Sequence, residues 1–255
     1  MPLFSKPKLD TLACHLGCDI HNHLLPGVDD GLSNNDEAST CIKHLKSLRY
    51  RGAIVTPHIY KAMFGDTSEH TLRNIFATFQ QDMASVHKDF KLALGAEYMM
   101  DDDLIDKVMH RPGELLTFGD RKKYLLVEFA TSTEPLFADE LIEQCQQLKI
   151  TPIFAHVERY MVIQADRAGH RLMQWQRQGA MIQVNIGSLV GQFGTTLQNV
   201  ARRIAKANLI DVLGSDLHSP RRGLDPMTKG LRWSKAKTQF AGQKQRAICD
   251  AVFGS

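Results

Sequence analysis

Seven short apolar runs recur along the chain: GCDIHNH (17–23), GAIVTPH (52–58), KLALGAEY (91–98), KYLLVEFA (123–130), TPIFAHVE (151–158), AMIQVNIG (180–187) and IDVLGSDLH (210–218). Their spacing constrains the fold more than any other feature of the sequence. Short aliphatic and β-branched runs of this kind read as strands. Between them, apolar residues recur three or four apart, as in Ile42, Leu45 and Leu48; Leu72, Ile75, Phe76 and Phe79; Leu141, Ile142, Cys145 and Leu148; Leu172 and Trp175; and Leu197, Val200 and Ile204. That is helical periodicity. Strands that are nearly continuous in apolar residues, alternating with helices, predict an α/β fold with a parallel sheet covered by helices. With no linker-like stretch and no internal repeat, one domain is expected over 18–255, after an N-terminal arm over 1–17. The basic segment LRWSKAKTQFAGQKQR (231–246) reads as a solvated face leading into a last helix.

The ends of the runs carry the chemistry. His21 and His23 close the first, His58 the second, Glu97 the third, Glu128 the fourth, His156 the fifth, and Asp216 and His218 the seventh. Only the sixth run ends without a metal-ligand side chain. In a parallel barrel the strands finish on one face, and the loops that follow them build the active site there. Side chains at i and i+2 on a strand share a face, so H-x-H at 21 and 23 and D-x-H at 216 and 218 form two pincers. Imidazoles and carboxylates crowded together need cations to offset their desolvation and repulsion. Mixed nitrogen and oxygen ligation suits manganese, iron or zinc better than calcium or magnesium. Two or three such ions are needed to use so many ligands, and the predicted class is metal-dependent hydrolysis. Arg159, three residues after His156, and Arg221 and Arg222, three and four after His218, add fixed positive charge suited to phosphate oxygens.

Composition excludes several other classes. The net charge is only +3, and no basic run interleaved with aromatics tracks a nucleic-acid backbone. No stretch approaches the roughly 20 apolar residues of a membrane span, and no signal peptide is evident, so a cytoplasmic protein is expected. The five cysteines, Cys14, Cys18, Cys41, Cys145 and Cys249, are odd in number and lack C-x-x-C pairs, which reads as reduced thiols rather than a disulfide framework. None has an arginine six positions later, so a cysteine-based phosphatase loop is absent. Remaining histidines (His15, His44, His70, His87, His110, His170) read as structural, and Asp101 to Asp103 as a helix cap.

Taken in order, DIHNHLLPGVDDG, TPH, GAEY, LVEF, AHVERY, QVNIGSLVG and LGSDLHS resemble the bacterial capsular and exopolysaccharide tyrosine-protein phosphatases of the PHP (polymerase and histidinol phosphatase) superfamily. The resemblance spans residues 18 to 222. It implies a distorted seven-stranded (β/α) barrel, TIM-barrel-like, with three divalent metal ions: manganese, with iron or zinc as alternatives. Carried over by position, His21, His23, Glu97 and Asp216 hold the first ion, and Glu97 bridges to a second held with Glu128 and His156. Asp29, chosen over Asp30 on motif position, joins His58 and His218 on a third. Arg159 and one of Arg221 and Arg222 bind phosphate. The sequence departs from the usual pattern at Asn22, where serine is usual, and at Val157, where proline is usual.

The implied substrate is a phosphotyrosine-bearing protein, a bacterial tyrosine autokinase of capsule or exopolysaccharide synthesis. The ligand residues equally admit a small phosphomonoester such as histidinol phosphate or a sugar phosphate, or a regulator that binds phosphotyrosine without turnover. An amidohydrolase is disfavoured because Glu128 stands where a lysine would be expected.

Overall fold

The computed structural model describes residues 13, 15–65, 67–238 and 242–254. All seven apolar runs contribute strands, and all pairings between strands are parallel. The strands are β1 (Cys18–Asp19), β2 (Gly52–Val55), β3 (His58–Ile59), β4 (Lys91–Leu94), β5 (Glu97–Met99), β6 (Lys123–Glu128), β7 (Ile150–Phe154), β8 (Met181–Asn185) and β9 (Val212–Gly214). The second and third runs are each divided in two. Pro57 has no amide to donate at the first break. Gly95 stands at the second, where the ring of Phe118 lies 2.7 Å from the position of a Cβ. The chain re-pairs across both breaks, with Gly95 N–H donating to Val55 O (2.8 Å) and Glu97 N–H to Pro57 O (3.0 Å).

The strand order is β1-β2-β4 and β3-β5-β6-β7-β8-β9. A parallel bridge joins Asn22 to Leu217. There His23 N–H donates to Leu217 O (3.1 Å) and Asp216 N–H to His21 O (2.9 Å). The sheet therefore curls until the strand-end segments of β1 and β9 meet. The fold is α/β with a curled parallel sheet, as the alternation of runs and helical stretches predicts.

The helices are α1 (Asn35–Ser47), α2 (Lys61–Phe64), α3 (Glu69–Val86), α4 (Asp102–His110), α5 (Ala138–Gln147), α6 (Met161–Ala165), α7 (His170–Arg177), α8 (Thr195–Lys206), α9 (Pro220–Lys237) and α10 (Gln243–Phe253). Side chains cap three of them: Asn34 accepts from Glu37 N, Ser68 from Thr71 N, and Asp101 from Leu104 N, the cap read from the aspartate run. Helix α9 runs through Gly223, Pro226 and Gly230, residues of low helix propensity. The glycines permit close packing: a Cβ at 230 would lie 2.2 Å from Ile186 O, and one at 223 would lie 2.1 Å from Leu217 Cδ1. Most of the basic 231–246 segment is the end of α9 and the start of α10; residues 239–241 lie outside the described ones.

Two apolar layers result. One lies between helices and sheet and includes Leu45, Phe76, Ile142, Trp175 and Ile204; the other, including Cys18, Ile20, Ile54, Leu126, Ile153 and Val212, fills the inside of the curl. Helix α10 closes the amino-terminal end of the strands. Its Gln245 donates from Nε2 to Cys18 O (2.9 Å) and Leu213 O (3.0 Å), and accepts from Leu213 N at Oε1 (3.0 Å). One end of the curl is thus apolar and plugged, which leaves the carboxyl-terminal end for polar side chains.

Of the arm expected over 1–17, residues 1–12 and 14, Cys14 among them, lie outside the described residues. Ala13 and Leu16 are buried in the outer layer, and Ala13 N–H donates to Leu48 O (2.9 Å). Cys18, Cys41, Cys145 and Cys249 are free, buried thiols. Among the described residues no helix is long and apolar enough to cross a membrane.

The layer outside β6 and β7 is set by Trp175. Its ring lies edge-on to Phe154 at 4.9 Å and is stacked on Phe129 at 6.2 Å, fully buried. Trp175→Ala is expected to lower unfolding free energy by about 3–5 kcal/mol in urea titration, since it combines lost transfer energy with a cavity. A loss below about 1 kcal/mol would contradict the packing described.

Candidate metal centre

The strand ends converge as the sequence predicts. Glu97, at the start of β5 and fully buried, lies at their middle. Its Oε2 is 3.1 Å from His21 Nε2, 3.3 Å from His23 Nε2 and 3.4 Å from His58 Nδ1, and its Oε1 is 2.8 Å from His156 Nε2. Asp216 Oδ1 stands 3.5 Å from the Nε2 atoms of both His21 and His23, and 3.4 Å from His218 Nδ1. Glu128 reaches His58 Nδ1 at 3.0 Å and His156 Nε2 at 3.7 Å. These groups form four overlapping clusters whose ligand atoms lie within 4.8 Å of one another: His21, His23 and Asp216; His21, Glu97 and His156; His58, Glu97 and Glu128; and His23, Asp30, His58 and His218.

The electrostatics follow from this crowding. Burial disfavours charge on His21, yet the carboxylates of Glu97 and Asp216 outweigh it and raise the imidazole to about 9. His23 is raised well above its usual value: burial opposes the shift, but the carboxylates of Asp216, Asp29 and Glu97 around it dominate. Against its own burial, Glu97 is held well below the carboxylate range by the surrounding imidazoles. Each group thus favours an opposite charge beside it.

The donor set fits divalent cations. Four buried atoms that face the middle of the site, His21 Nε2, His23 Nε2, His58 Nδ1 and Glu97 Oε2, have no hydrogen-bond partner. The opposite ring nitrogens of the first pincer are engaged: His21 Nδ1 lies 2.9 Å from Gln183 Oε1, and His23 Nδ1 is 2.7 Å from Asp29 Oδ2. In the neutral rings this turns the inward nitrogens into lone-pair donors for a cation, with the outward N–H groups anchored on protein oxygens, the pattern of metal-bound histidine; without a cation the neighbouring carboxylates favour a proton there instead. Two of the ligand-type residues also have left-handed backbone, His156 at φ +31° and Asp216 at φ +51°. Such conformations cost about 1–3 kcal/mol each and concentrate at functional sites.

Of the two adjacent aspartates, the expected Asp29 lies outside the clusters of ligand-type atoms. Asp30, not Asp29, carries its carboxylate into the cluster, 3.5 Å from His58 Nε2 and 3.3 Å from His218 Nε2. Asp29 is spent on hydrogen bonds: Oδ2 accepts from His23 Nδ1–H and from His58 N–H (3.0 Å), and Oδ1 accepts from Gly31 N–H (3.0 Å). Despite its burial these bonds hold Asp29 down at about 2. The loop geometry decides between the two aspartates. Gly27 turns at φ +72°, and Gly31 packs where a Cβ would stand 2.5 Å from His23 Cβ.

A cavity of about 830 Å³ opens above the cluster. Arg159 and Arg222 line it; Arg221 does not. Arg159 Nη1 is 3.6 Å from Asp216 Oδ2, and its guanidinium lies 5.9 Å from the Phe193 ring centre. Its lining also includes Tyr60, Met63, Phe64 and Phe193, with the Phe64 ring stacked on His58 at 4.8 Å. Sequence reasoning misses these four, because isolated aromatics and a methionine in loops and a one-turn helix carry no periodic signal. His44 and His87, read as structural, pair with Thr228 and Ser39, both at 2.9 Å.

Comparison with known proteins gives a family and a shared fold. The model of a family described as capsular polysaccharide synthesis, CpsB/CapC, matches residues 17–248. Tyrosine-protein phosphatase CpsB of Streptococcus pneumoniae is 26% identical over 246 residues, covering 92% of this chain and 99% of that protein. Tyrosine-protein phosphatase YwqE of Bacillus subtilis is 29% identical over 203 residues, covering 79% and 77%. Among solved structures, one from work on YwqE of Bacillus subtilis and CpsB of Streptococcus pneumoniae, described as unique metal-dependent tyrosine phosphatases, superposes with a TM-score of 0.79 at 24% identity. That superposition covers 93% of this chain and 95% of the other, and it shows a shared fold.

Proposed function

The chain belongs to the CpsB/CapC capsular polysaccharide synthesis family, and from that premise we propose that it is a metal-dependent protein-tyrosine phosphatase. The observation that carries this reading is the convergence of inward-facing imidazoles and carboxylates on Glu97 beneath a cavity lined by Arg159. We assign three divalent ions, manganese first, with iron or zinc as alternatives. His21, His23, Glu97 and Asp216 would hold one; Glu97, Glu128 and His156 a second; Asp30, His58 and His218 a third. Bound there, such ions supply an activated water and neutralise charge on a phosphoryl group.

The chain's own residues do the rest. The guanidinium of Arg159 forks onto phosphate oxygens and orients the ester, with Arg222 as the second cation on the cavity wall. Arg159 is held for this by the turn at His156, whose O accepts from Arg159 N–H (2.9 Å). Tyr60, Met63, Phe64 and Phe193 give the cavity an apolar side that suits the ring of an aryl phosphate better than a hydrated sugar. The leaving phenolate, of pKa about 10, departs more readily than the alkoxide of serine.

The substrate we propose is a phosphotyrosine-bearing protein, a tyrosine autokinase of capsule or exopolysaccharide synthesis, dephosphorylated in the cytoplasm. Four free thiols among the described residues suit that reducing compartment. We read residues 18–255 as one catalytic domain behind an arm over 1–17. Counting each divided run once, we read the sheet as a distorted seven-stranded barrel.

Dialysis against EDTA is expected to abolish turnover of a phosphotyrosyl peptide, and added Mn(II) to restore it. Turnover undiminished in EDTA would overturn the metal reading. A higher kcat/KM for histidinol phosphate than for the peptide would move the substrate to a small phosphomonoester. Peptide binding without phosphate release under any divalent metal would make the protein a phosphotyrosine-binding regulator.

A further inference from the structure

Strand β8 belongs to the one apolar run whose end supplies no ligand-type side chain, yet Gln183 and Asn185 on it are fully buried close to His21, His156 and Asp216. Gln183 Oε1 accepts from the backbone N–H of His156 at 2.7 Å. A backbone amide can only donate, so this bond fixes which end of the Gln183 side-chain amide is oxygen. The same oxygen lies 2.9 Å from His21 Nδ1, which must then carry a proton, so that in the neutral, ligating ring the lone pair is on Nε2, the nitrogen facing Glu97 and Asp216. The polarity runs on along the strand. Gln183 Nε2 donates to Asn185 Oδ1 at 2.8 Å, which turns Asn185 Nδ2 outward to donate to Asp216 Oδ2 at 2.6 Å. Gly214 leaves the room for this: a Cβ there would stand 2.7 Å from both Gln183 Nε2 and His21 Cβ.

We propose that Gln183 and Asn185 are positioning residues that set the His21 tautomer, the turn at His156 and the orientation of Asp216 through one polarised relay of amides. The proposal rests on the reading of the centre as a metal site. One backbone N–H thereby dictates the donor and acceptor sense of every bond from His156 to Asp216. The two amides sit at i and i+2 on β8, so both face the inside of the curl, where an apolar side chain could supply none of these bonds.

The test uses the full chain as wild type, Gln183→Leu and Gln183→Glu. Co(II) titration is followed by visible absorption and calorimetry, and His21 in Zn(II)-loaded protein by long-range proton–nitrogen correlation spectra. Wild type is expected to hold His21 as the Nδ1–H tautomer. Gln183→Leu is expected to bind Co(II) about ten- to a hundredfold more weakly, with an altered cobalt spectrum. Gln183→Glu keeps an acceptor for His21 and His156 but not a donor for Asn185, so it should restore the tautomer and bind with intermediate affinity. If Gln183→Leu folds and binds Co(II) within twofold of wild type with an unchanged spectrum, the proposal is overturned. Should that variant not fold, the wild-type tautomer decides alone, and an Nε2–H form of His21 overturns it. Wild type that takes up neither Co(II) nor Zn(II) overturns the metal reading itself, an outcome distinct from the other two.

Discussion

Glu97→Ala is expected to reduce kcat/KM on a phosphotyrosyl peptide by about a thousandfold or more and to lower the metal content of the purified protein. Partners that merely orient metal ligands cost about ten- to a hundredfold when removed, and a group central to the cluster should cost more. Glu97 is such a group because its two oxygens face four imidazoles, those of His21, His23, His58 and His156, all within 3.4 Å. Without it, buried imidazoles face one another with less negative charge between them. Breaking a buried charge pair by deleting one partner costs about 3–5 kcal/mol, so thermal stability should fall as well. Glu97→Gln separates charge from volume: it keeps one oxygen and the packing, and it should still lose most of the activity. Elemental analysis beside the phosphatase assay checks both variants. Wild-type metal content together with activity within tenfold of wild type would remove Glu97 from the centre of the mechanism.

Much of this centre is legible in the sequence because strand periodicity and parallel topology act together. The apolar runs locate the strand ends, and parallel strands bring Glu97, Glu128 and His156 to the same end from positions up to 59 residues apart; H-x-H and D-x-H stand just past β1 and β9, and the left-handed backbone of Asp216 shows that alternation within a strand is not what aims them. What resists reading is decided by close packing. Asp29 and Asp30 are adjacent and chemically identical. Only the left-handed turn at Gly27 and the space left by Gly31 send the second into the cluster and the first onto His23 Nδ1. Gln183 and Asn185 look like polar interruptions of an apolar strand, and their meaning depends on a backbone N–H, that of His156, which arrives from the end of the preceding strand β7. Helix α9 is hidden by Gly223 and Gly230, whose lack of a side chain serves packing against Leu217 and Ile186 rather than a turn. Pro57 is the converse case, a residue whose missing amide divides a strand that the apolar pattern reads as continuous.

Arg159→Ala should lower kcat/KM by about a hundred- to a thousandfold, the range for deleting one preorganised donor to a developing oxyanion. Unlike Glu97→Ala, it should leave metal content unchanged, because the guanidinium meets Asp216 only at 3.6 Å and points into the cavity. That contrast separates substrate orientation from metal retention, although both variants lose activity. Arg159→Lys retains the charge but not the fork, so it should recover only part of the loss. The second cation is open to the same comparison. Arg222 lines the cavity and Arg221 does not, so Arg222→Ala should weaken competitive inhibition by inorganic phosphate while Arg221→Ala leaves it near wild type. If Arg221→Ala carries the larger loss, the phosphate lies on the other side of α9's first turn. If Arg159→Ala loses metal as well as activity, the guanidinium acts through Asp216 and not on the substrate.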